Sequence, residues 1–256
     1  MTAPMWFKPR NLDEAIRGLR EKRTIIGGGA ALNSESFPPV HGRRALDLAA
    51  LPDAAASIRG HTKGLRVGAM TTLQQLLDST DAVDGRPALG ESLGSIATPE
   101  VRRIATIGGS VAARLPTSDL LPVLCADRAR LDLLGADGRR STTNLVDYLR
   151  SPREAIVLGV ELGPRRPGAY VRFAGRAGFA PALAGVAAVM HPDGVEVWGG
   201  AVAAAPIPLP AGELPPEHDL RDDAYASAWY RRRLLAVLRD RALAALATRL
   251  PDKENI

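Results

Sequence analysis

Two glycine clusters are the first places in this chain where residue type and spacing suggest chemistry. Gly27, Gly28 and Gly29 follow the β-branched pair Ile25–Ile26, and Gly108–Gly109 follow Ile107 in the run ATIGGSVAA. Glycine lets a ligand approach the backbone closely, and successive amides in such loops form concave anion sites without needing a cation. Read as the dinucleotide fingerprint G-x-G-x-x-G from Gly27, the last glycine position is Leu32, so the fingerprint fails. Asp47 stands about twenty residues on, where a ribose-binding acid would be, but one acid at one spacing is weak. The second cluster has hydroxyls on both sides, Thr106 and Ser110, and Asp119 follows a Pro-Thr-Ser turn, placed to accept from sugar hydroxyls. Two such loops fit a long diphosphate ligand threaded between two lobes. No nucleophile–base pair stands out. The four histidines, His41, His61, His191 and His218, lie in polar or turn contexts without metal-ligand spacing and read as surface residues.

The rest of the composition narrows the classes. The chain has 256 residues, enough for one large domain or two small ones with a real core. With 46% hydrophobic residues it is globular, not disordered. The net charge of +5 comes from arginine, with both signs interspersed and only 4% aromatic residues. A nucleic-acid surface of basic stripe and stacking aromatics does not fit that pattern; a mild field attracting phosphate-bearing cofactors does. The single cysteine, Cys125, sits in the apolar run LLPVLCADRA and reads as a buried small hydrophobe. One thiol excludes an internal disulfide and an iron–sulfur cluster held by this chain alone. No apolar stretch approaches the roughly 20 residues of a membrane span. MTAPMWFKPRNLDEA has no basic region followed by an apolar one, so a cytoplasmic protein is expected, with no nucleic-acid or membrane partner.

Local signals then place the elements. NLDEAIRGLREK predicts a helix capped by Asn11, with acids in its first turn and Leu12, Ile16 and Leu19 on one face. RTIIGGG, ALDLAAL and GLRVGAM read as short strands, and TTLQQLLDST and RPALGESLGSIA as helices. DLLPVLCAD looks buried, ARLDLLGADGRRSTT reads strand–turn–strand, and EAIVLGVEL is a buried strand. The first 165 residues thus mix helices and strands without regular βαβ spacing. GPRRPGA marks a boundary. Beyond it, ALAGVAAVMHPDGVEVWGGAVA reads as a hairpin turning at HPDG, AAPIPLPAGELPPEHD as an extended linker, and DDAYASAWYRRRLLAVLRDRALAALATRL as a long helix. Leu235, Leu238, Ala242 and Leu246 form that helix's apolar stripe, and its arginines, Arg231 among them, read as a solvated face. PDKENI reads as a frayed tail.

Several ordered stretches carry a family resemblance. FKPRNLDEAIRGL is similar to an N-terminal Arg-Pro, Leu-Asp-Glu-Ala entry, and IIGGGAALN stands where the family has Ala-Gly-Gly-Thr-Asp-Leu. RVGAMTTLQQLL resembles Gly-Ala-x-Thr-Thr-Leu, and DDAYASAWYRRRLLAVLRDRAL resembles the final helix. The most specific stretch, IATPEVRRIATIGGSVAARLPTSDLLPVL, resembles Ile-Arg-Asn-x-x-Thr-Ile-Gly-Gly-Asn with its following Pro-x-x-Asp. The family is that of the FAD-binding (medium) subunit of molybdenum hydroxylases, the xanthine dehydrogenase and carbon monoxide dehydrogenase group.

The resemblance implies an α+β protein. A two-lobed molybdopterin-dehydrogenase-type FAD-binding domain would cover residues 1–165, with lobes of about 1–58 and 59–165, and a small, shortened α/β C-terminal domain would cover 169–250. It implies FAD as cofactor. Gly27, Gly28, Gly29, Ala30, Ala31, Leu32 and Asn33, with Thr106, Gly108, Gly109 and Ser110, would hold the diphosphate and adjoining ribityl. Asp119 would contact FAD hydroxyls, Ile96 and Val157 would pack on the flavin, and Arg172 would stand near the ring, where many members have lysine. Ala30 and Ala31 replace the family's Thr and Asp, and Ser110 its Asn. The implied function is an oxidoreductase subunit passing electrons between iron–sulfur and molybdopterin partner subunits and an acceptor such as NAD or oxygen. Two alternatives stay open: a stand-alone FAD-dependent oxidase acting on a small molecule, and a non-catalytic scaffold that has lost FAD.

Overall fold

The computed structural model of the chain describes residues 5–33, 44–151, 154–176 and 180–250. His41 and the PDKENI tail lie outside the described residues. The elements follow the order β1 (Trp6–Phe7), α1 (Leu12–Arg20), β2 (Thr24–Ile26), β3 (Ala45–Asp47), β4 (Ile58–His61), β5 (Gly64–Gly68), α2 (Leu73–Leu77), α3 (Thr80–Val83), α4 (Pro87–Ser95), α5 (Pro99–Ile104), α6 (Ile107–Ala113), α7 (Leu120–Ala126), β6 (Arg130–Gly135), β7 (Arg140–Asn144), α8 (Leu145–Arg150), β8 (Ala155–Leu162), β9 (Gly168–Ala174), β10 (Ala182–His191), β11 (Gly194–Gly200), β12 (Ile207–Pro208) and α9 (Ala228–Ala247). This is the mixed α+β class expected. The contacts divide the chain into two compact units. One comprises residues 1–76, 99–113 and 128–164; the other comprises 77–98, 114–127 and 165–256.

In the first unit, α1 starts where Asn11 Oδ1 accepts from the Glu14 amide at 2.9 Å, and Asp13 and Glu14 complement the helix dipole. Gly18 on this helix leaves room for Leu46 of β3, the central strand of the parallel sheet β1-β3-β2. A second sheet, ordered β4-β5-β8-β6-β7, is antiparallel throughout. Its middle strand β8 is buried at every position but Glu161, as the apolar run from Ala155 to Val160 requires. The α6 helix packs against the β5–β8 side of this sheet.

The second unit is a four-stranded antiparallel sheet, β12-β11-β10-β9, covered on both faces. Successive strand residues point to opposite faces. Ala184, Val186 and Ala188 of β10 join Leu235, Leu238, Ala242 and Leu246 of α9 in one core. The other face receives α4 and α7: a side chain at Gly168 would touch Ala88 of α4, and one at Gly200 would strike Pro122 of α7. Two covered faces explain why β10 is rich in Ala, Val and Gly. The hairpin turns at HPDG as expected, from His191 to Gly194.

Two polar residues depart from the sequence expectation. His191, read as a surface residue, is only 4% exposed, and its Nε2 lies 2.8 Å from the Ala126 carbonyl. Its position at the end of the doubly covered β10 buries it. Arg231, read as part of a solvated face, is 1% exposed. It stands four residues before Leu235, on the buried stripe of α9. Its Nη2 donates to both carboxylate oxygens of Asp223, at 2.7 and 2.8 Å, and its Nη1 donates to the Leu183 and Ala201 carbonyls. Satisfying those donors is what lets an arginine sit inside. Cys125 is buried, as expected.

Candidate cofactor-binding residues

The glycine loop begins where β2 ends. Gly29 has a φ of +76°, in the left-handed region that glycine favours, and Ala31–Asn33 close a 3-10 turn. The second glycine segment turns from α5 into α6. The two segments, about eighty residues apart in sequence, pack directly on each other. A Cβ at Gly28 would stand 1.4 Å from the Ile104 carbonyl oxygen, and one at Gly27 would stand 2.6 Å from Thr106 Oγ1 and 3.7 Å from the Gly109 Cα. Gly28 is therefore glycine because backbone meets backbone there. Gly109 differs: its hypothetical Cβ would meet only Thr106 Oγ1, at 2.9 Å.

The amides of the second segment are spent internally. Ile107 donates to the Thr71 carbonyl, Gly108 to the Ala69 carbonyl, Gly109 to Thr106 Oγ1 and Ser110 to the Thr106 carbonyl, at 2.9 to 3.1 Å. Thr106 is 3% exposed, so its hydroxyl serves the turn rather than solvent. On the first segment, by contrast, the amides of Gly28 and Ala30 meet no acceptor among the described residues. Free amides at a glycine turn suit an anion. This donor set fits the diphosphate of FAD, through backbone alone, since Ala30 and Ala31 bring no polar side chain. Leu32 is half-buried within the 3-10 turn. Val157 lies in β8 opposite Leu133 and is buried.

The other expected residues, Ile96, Asp119 and Arg172, belong to the second unit. Ile96 caps α4 and is half-buried. Asp119 precedes α7, but its carboxylate does not cap the helix; Ser118 Oγ accepts from the Leu121 amide instead. The carboxylate turns toward β9. Its Oδ1 accepts from the Tyr170 hydroxyl at 2.6 Å and lies 3.2 Å from Arg172 Nε. Its Oδ2 meets no partner among the described residues. Burial raises the Asp119 carboxyl to about 6, against the opposing pull of the Arg172 charge and the Tyr170 hydrogen bond. Burial also pushes the Tyr170 phenol well above its ordinary value, and the adjacent carboxylate adds to that. Arg172, read as a charge near the ring, spends its Nη1 on the Ser95 carbonyl at 3.0 Å and its Nη2 on the Ala180 carbonyl. Tyr170 is the residue that sequence reading missed. YVRF shows its aromatic character, but nothing local links it to Asp119, fifty-one residues away.

Among the described residues there is no group of acids, histidines and cysteines that could hold a metal, and no helix is long and apolar enough to cross a membrane.

The Escherichia coli K12 protein YgfM is 29% identical over 197 residues, spanning 75% of this chain and 72% of its own. Aldehyde oxidase 1 of Macaca fascicularis is 36% identical over 155 residues, 53% of this chain but only 11% of that much longer protein. In fold, the chain resembles a chain of carbon monoxide dehydrogenase from Hydrogenophaga pseudoflava, with a TM-score of 0.84 at 22% identity, over 98% of this chain and 100% of the other. It also resembles a chain of quinoline 2-oxidoreductase from Pseudomonas putida 86, with a TM-score of 0.79 at 20% identity, over 96% of this chain and 98% of the other. The family model described as the FAD binding domain in molybdopterin dehydrogenase matches residues 2–163. The chain belongs to that family, whose cofactor is FAD.

Proposed function

We propose that this chain is the FAD-binding subunit of a cytoplasmic molybdenum hydroxylase. It would pass electrons between iron–sulfur and molybdopterin partner chains and an acceptor such as NAD or oxygen. The observation that carries this reading is the fused pair of glycine segments, in which the Gly28 and Ala30 amides meet no acceptor among the described residues, in a chain of an FAD-binding family. When bound, FAD supplies the redox chemistry, and the protein supplies binding and orientation.

Each residue then has a stated part. The amides of the 27–33 loop hold the diphosphate. Thr106 and the α6 turn brace that loop from behind. Asp119 accepts from FAD hydroxyls, Ile96 and Val157 pack on the flavin, and Arg172 keeps positive charge beside Asp119. The single thiol of this chain supports assigning the clusters to partners. Multi-subunit neighbours of the same fold support the hetero-oligomer.

The test is reconstitution. Purified protein incubated with FAD and desalted should retain a flavin absorption spectrum, and tagged protein from its native host should bring down an iron–sulfur chain and a molybdopterin chain. A colourless protein after reconstitution would show a scaffold that has lost FAD. A flavin reduced rapidly by a small molecule without partners would establish a stand-alone oxidase.

A further inference from the structure

Asp119 is held unusually firmly for a residue with an unspent oxygen. Oδ1 takes the Tyr170 hydroxyl at 2.6 Å and faces Arg172, while the Asp119 carbonyl accepts from Ser92 Oγ of α4 at 3.0 Å. Tyr170 is itself fixed at both ends. Its amide donates to Glu91 of α4 at 2.7 Å, and its ring lies against Gly185 of β10, where a side chain would collide with the phenol. Glu91 in turn pairs with Arg249, which also donates to the Gly168 carbonyl at 2.6 Å. The carboxylate is therefore held at Oδ1, while its Oδ2 meets no partner among the described residues. A packing role alone would not require the phenol oxygen, since phenylalanine fills the same space.

We infer that Tyr170 is a positioning residue: its hydroxyl fixes Asp119 so that Oδ2 is presented, as an ionised acceptor, to hydroxyl groups of the bound flavin cofactor. This rests on the FAD reading above. It also makes cofactor affinity depend on pH in the mildly acidic range, because protonated Asp119 loses acceptor strength. The charged and titratable groups around it are Arg172 and Tyr170 on β9, Glu91 on α4, and Arg249 beyond α9. Of these, Arg172 and Tyr170 act on the carboxylate directly, and both favour its charged form.

The experiment is a titration of apoprotein with FAD, followed by flavin fluorescence from pH 5 to 9, on the wild-type full chain, Tyr170→Phe and Asp119→Asn. Wild-type affinity should weaken as pH falls through about 6. Tyr170→Phe should bind about tenfold more weakly at the alkaline end, from the loss of a hydrogen bond to a charged acceptor. Its pH midpoint should move upward, because the bond favouring the charged form is gone, and the two curves should converge in acid. Asp119→Asn should bind weakly with no dependence in this range. Circular dichroism reports folding; if Tyr170→Phe unfolds, the pH profile of Asp119→Asn decides, and one identical to wild type overturns the inference. Wild-type protein that takes up no FAD at any pH overturns the cofactor reading and this inference with it. Wild-type binding matched by Tyr170→Phe at every pH overturns the inference alone.

Discussion

The first unit presents its candidate diphosphate site chiefly as backbone, at glycines and alanines, with the Thr106 hydroxyl turned inward. The second presents a carboxylate, a phenol and a guanidinium locked together. The difference is one of physical means. Backbone amides carry no titratable proton near neutrality, so the 27–33 loop should bind an anion equally well across mild pH. The Asp119 cluster holds a carboxyl at about 6, so whatever it does changes with pH. The two regions also fail differently. The glycine loops are intolerant of volume, and the Asp119 cluster is intolerant of lost hydrogen-bond partners.

Substitution at Gly28 should give the largest effect. Gly28→Ala places a methyl group 1.4 Å from the Ile104 carbonyl oxygen, so one of the two segments must move. The expected cost is about 3 kcal/mol or more, at the upper end of overpacking, read by urea denaturation. An alanine variant as stable as wild type would show that the loops do not pack as described.

Next comes the pH dependence of stability at Asp119. Its folded carboxyl is raised to about 6 from 3.8, so the native state binds this proton more tightly than the unfolded chain. Its contribution is full below about pH 4 and is lost as pH rises through about 6, by at most roughly 3 kcal/mol. Asp119→Asn removes that slope. The difference in unfolding free energy between variant and wild type should shift in favour of the variant from pH 4 to 7. A constant difference would count against a buried, shifted carboxyl.

A smaller effect belongs to Thr106→Val, which keeps the shape but removes the acceptor of the buried Gly109 amide. About 1–3 kcal/mol should be lost, and Thr106→Ser should restore most of it, by thermal or urea unfolding. Equal stability of the Val and Ser forms would leave the turn without its hydroxyl brace.

Gly109→Ala should perturb the fold least. Its Cβ meets only the Thr106 hydroxyl, and alanine gains up to about 1 kcal/mol over glycine within a helix, so net stability should change by less than about 1 kcal/mol. Flavin binding, read by absorbance after reconstitution, should nevertheless fall, and Gly109→Val should abolish it. Unchanged binding in the valine form would move the diphosphate away from this turn and separate the roles of the two glycine segments completely.

Much of this molecule is legible locally. The Asn11 cap, the hairpin at HPDG, the strand–turn–strand over 130–144 and the long α9 all announce themselves through capping residues, turn chemistry and periodicity, which act over a few residues. Glycine clustering marked both loops, and the ordered motifs named the family. Arg231 was misread although its spacing from Leu235 placed it on the buried stripe; the expectation that arginine faces water outweighed the helical period. His191 was misread because a turn beside it suggested exposure, whereas burial came from α7, more than sixty residues earlier.

The amino-acid sequence by itself determined the element types, the mixed α+β class, the glycine segments and the absence of enough thiols for a cluster in this chain. These depend on backbone propensity, apolar period and composition. Only the tertiary structure decided that Gly28 faces the Ile104 carbonyl, that the first amides of α6 are spent while those of Gly28 and Ala30 meet no acceptor among the described residues, and that Tyr170 holds Asp119. It also grouped residues 77–98 and 114–127 with the C-terminal part of the chain. Such pairings join residues many tens of positions apart. Close approach and hydrogen bonding depend on distance in space, and chain order records no distance beyond a few residues.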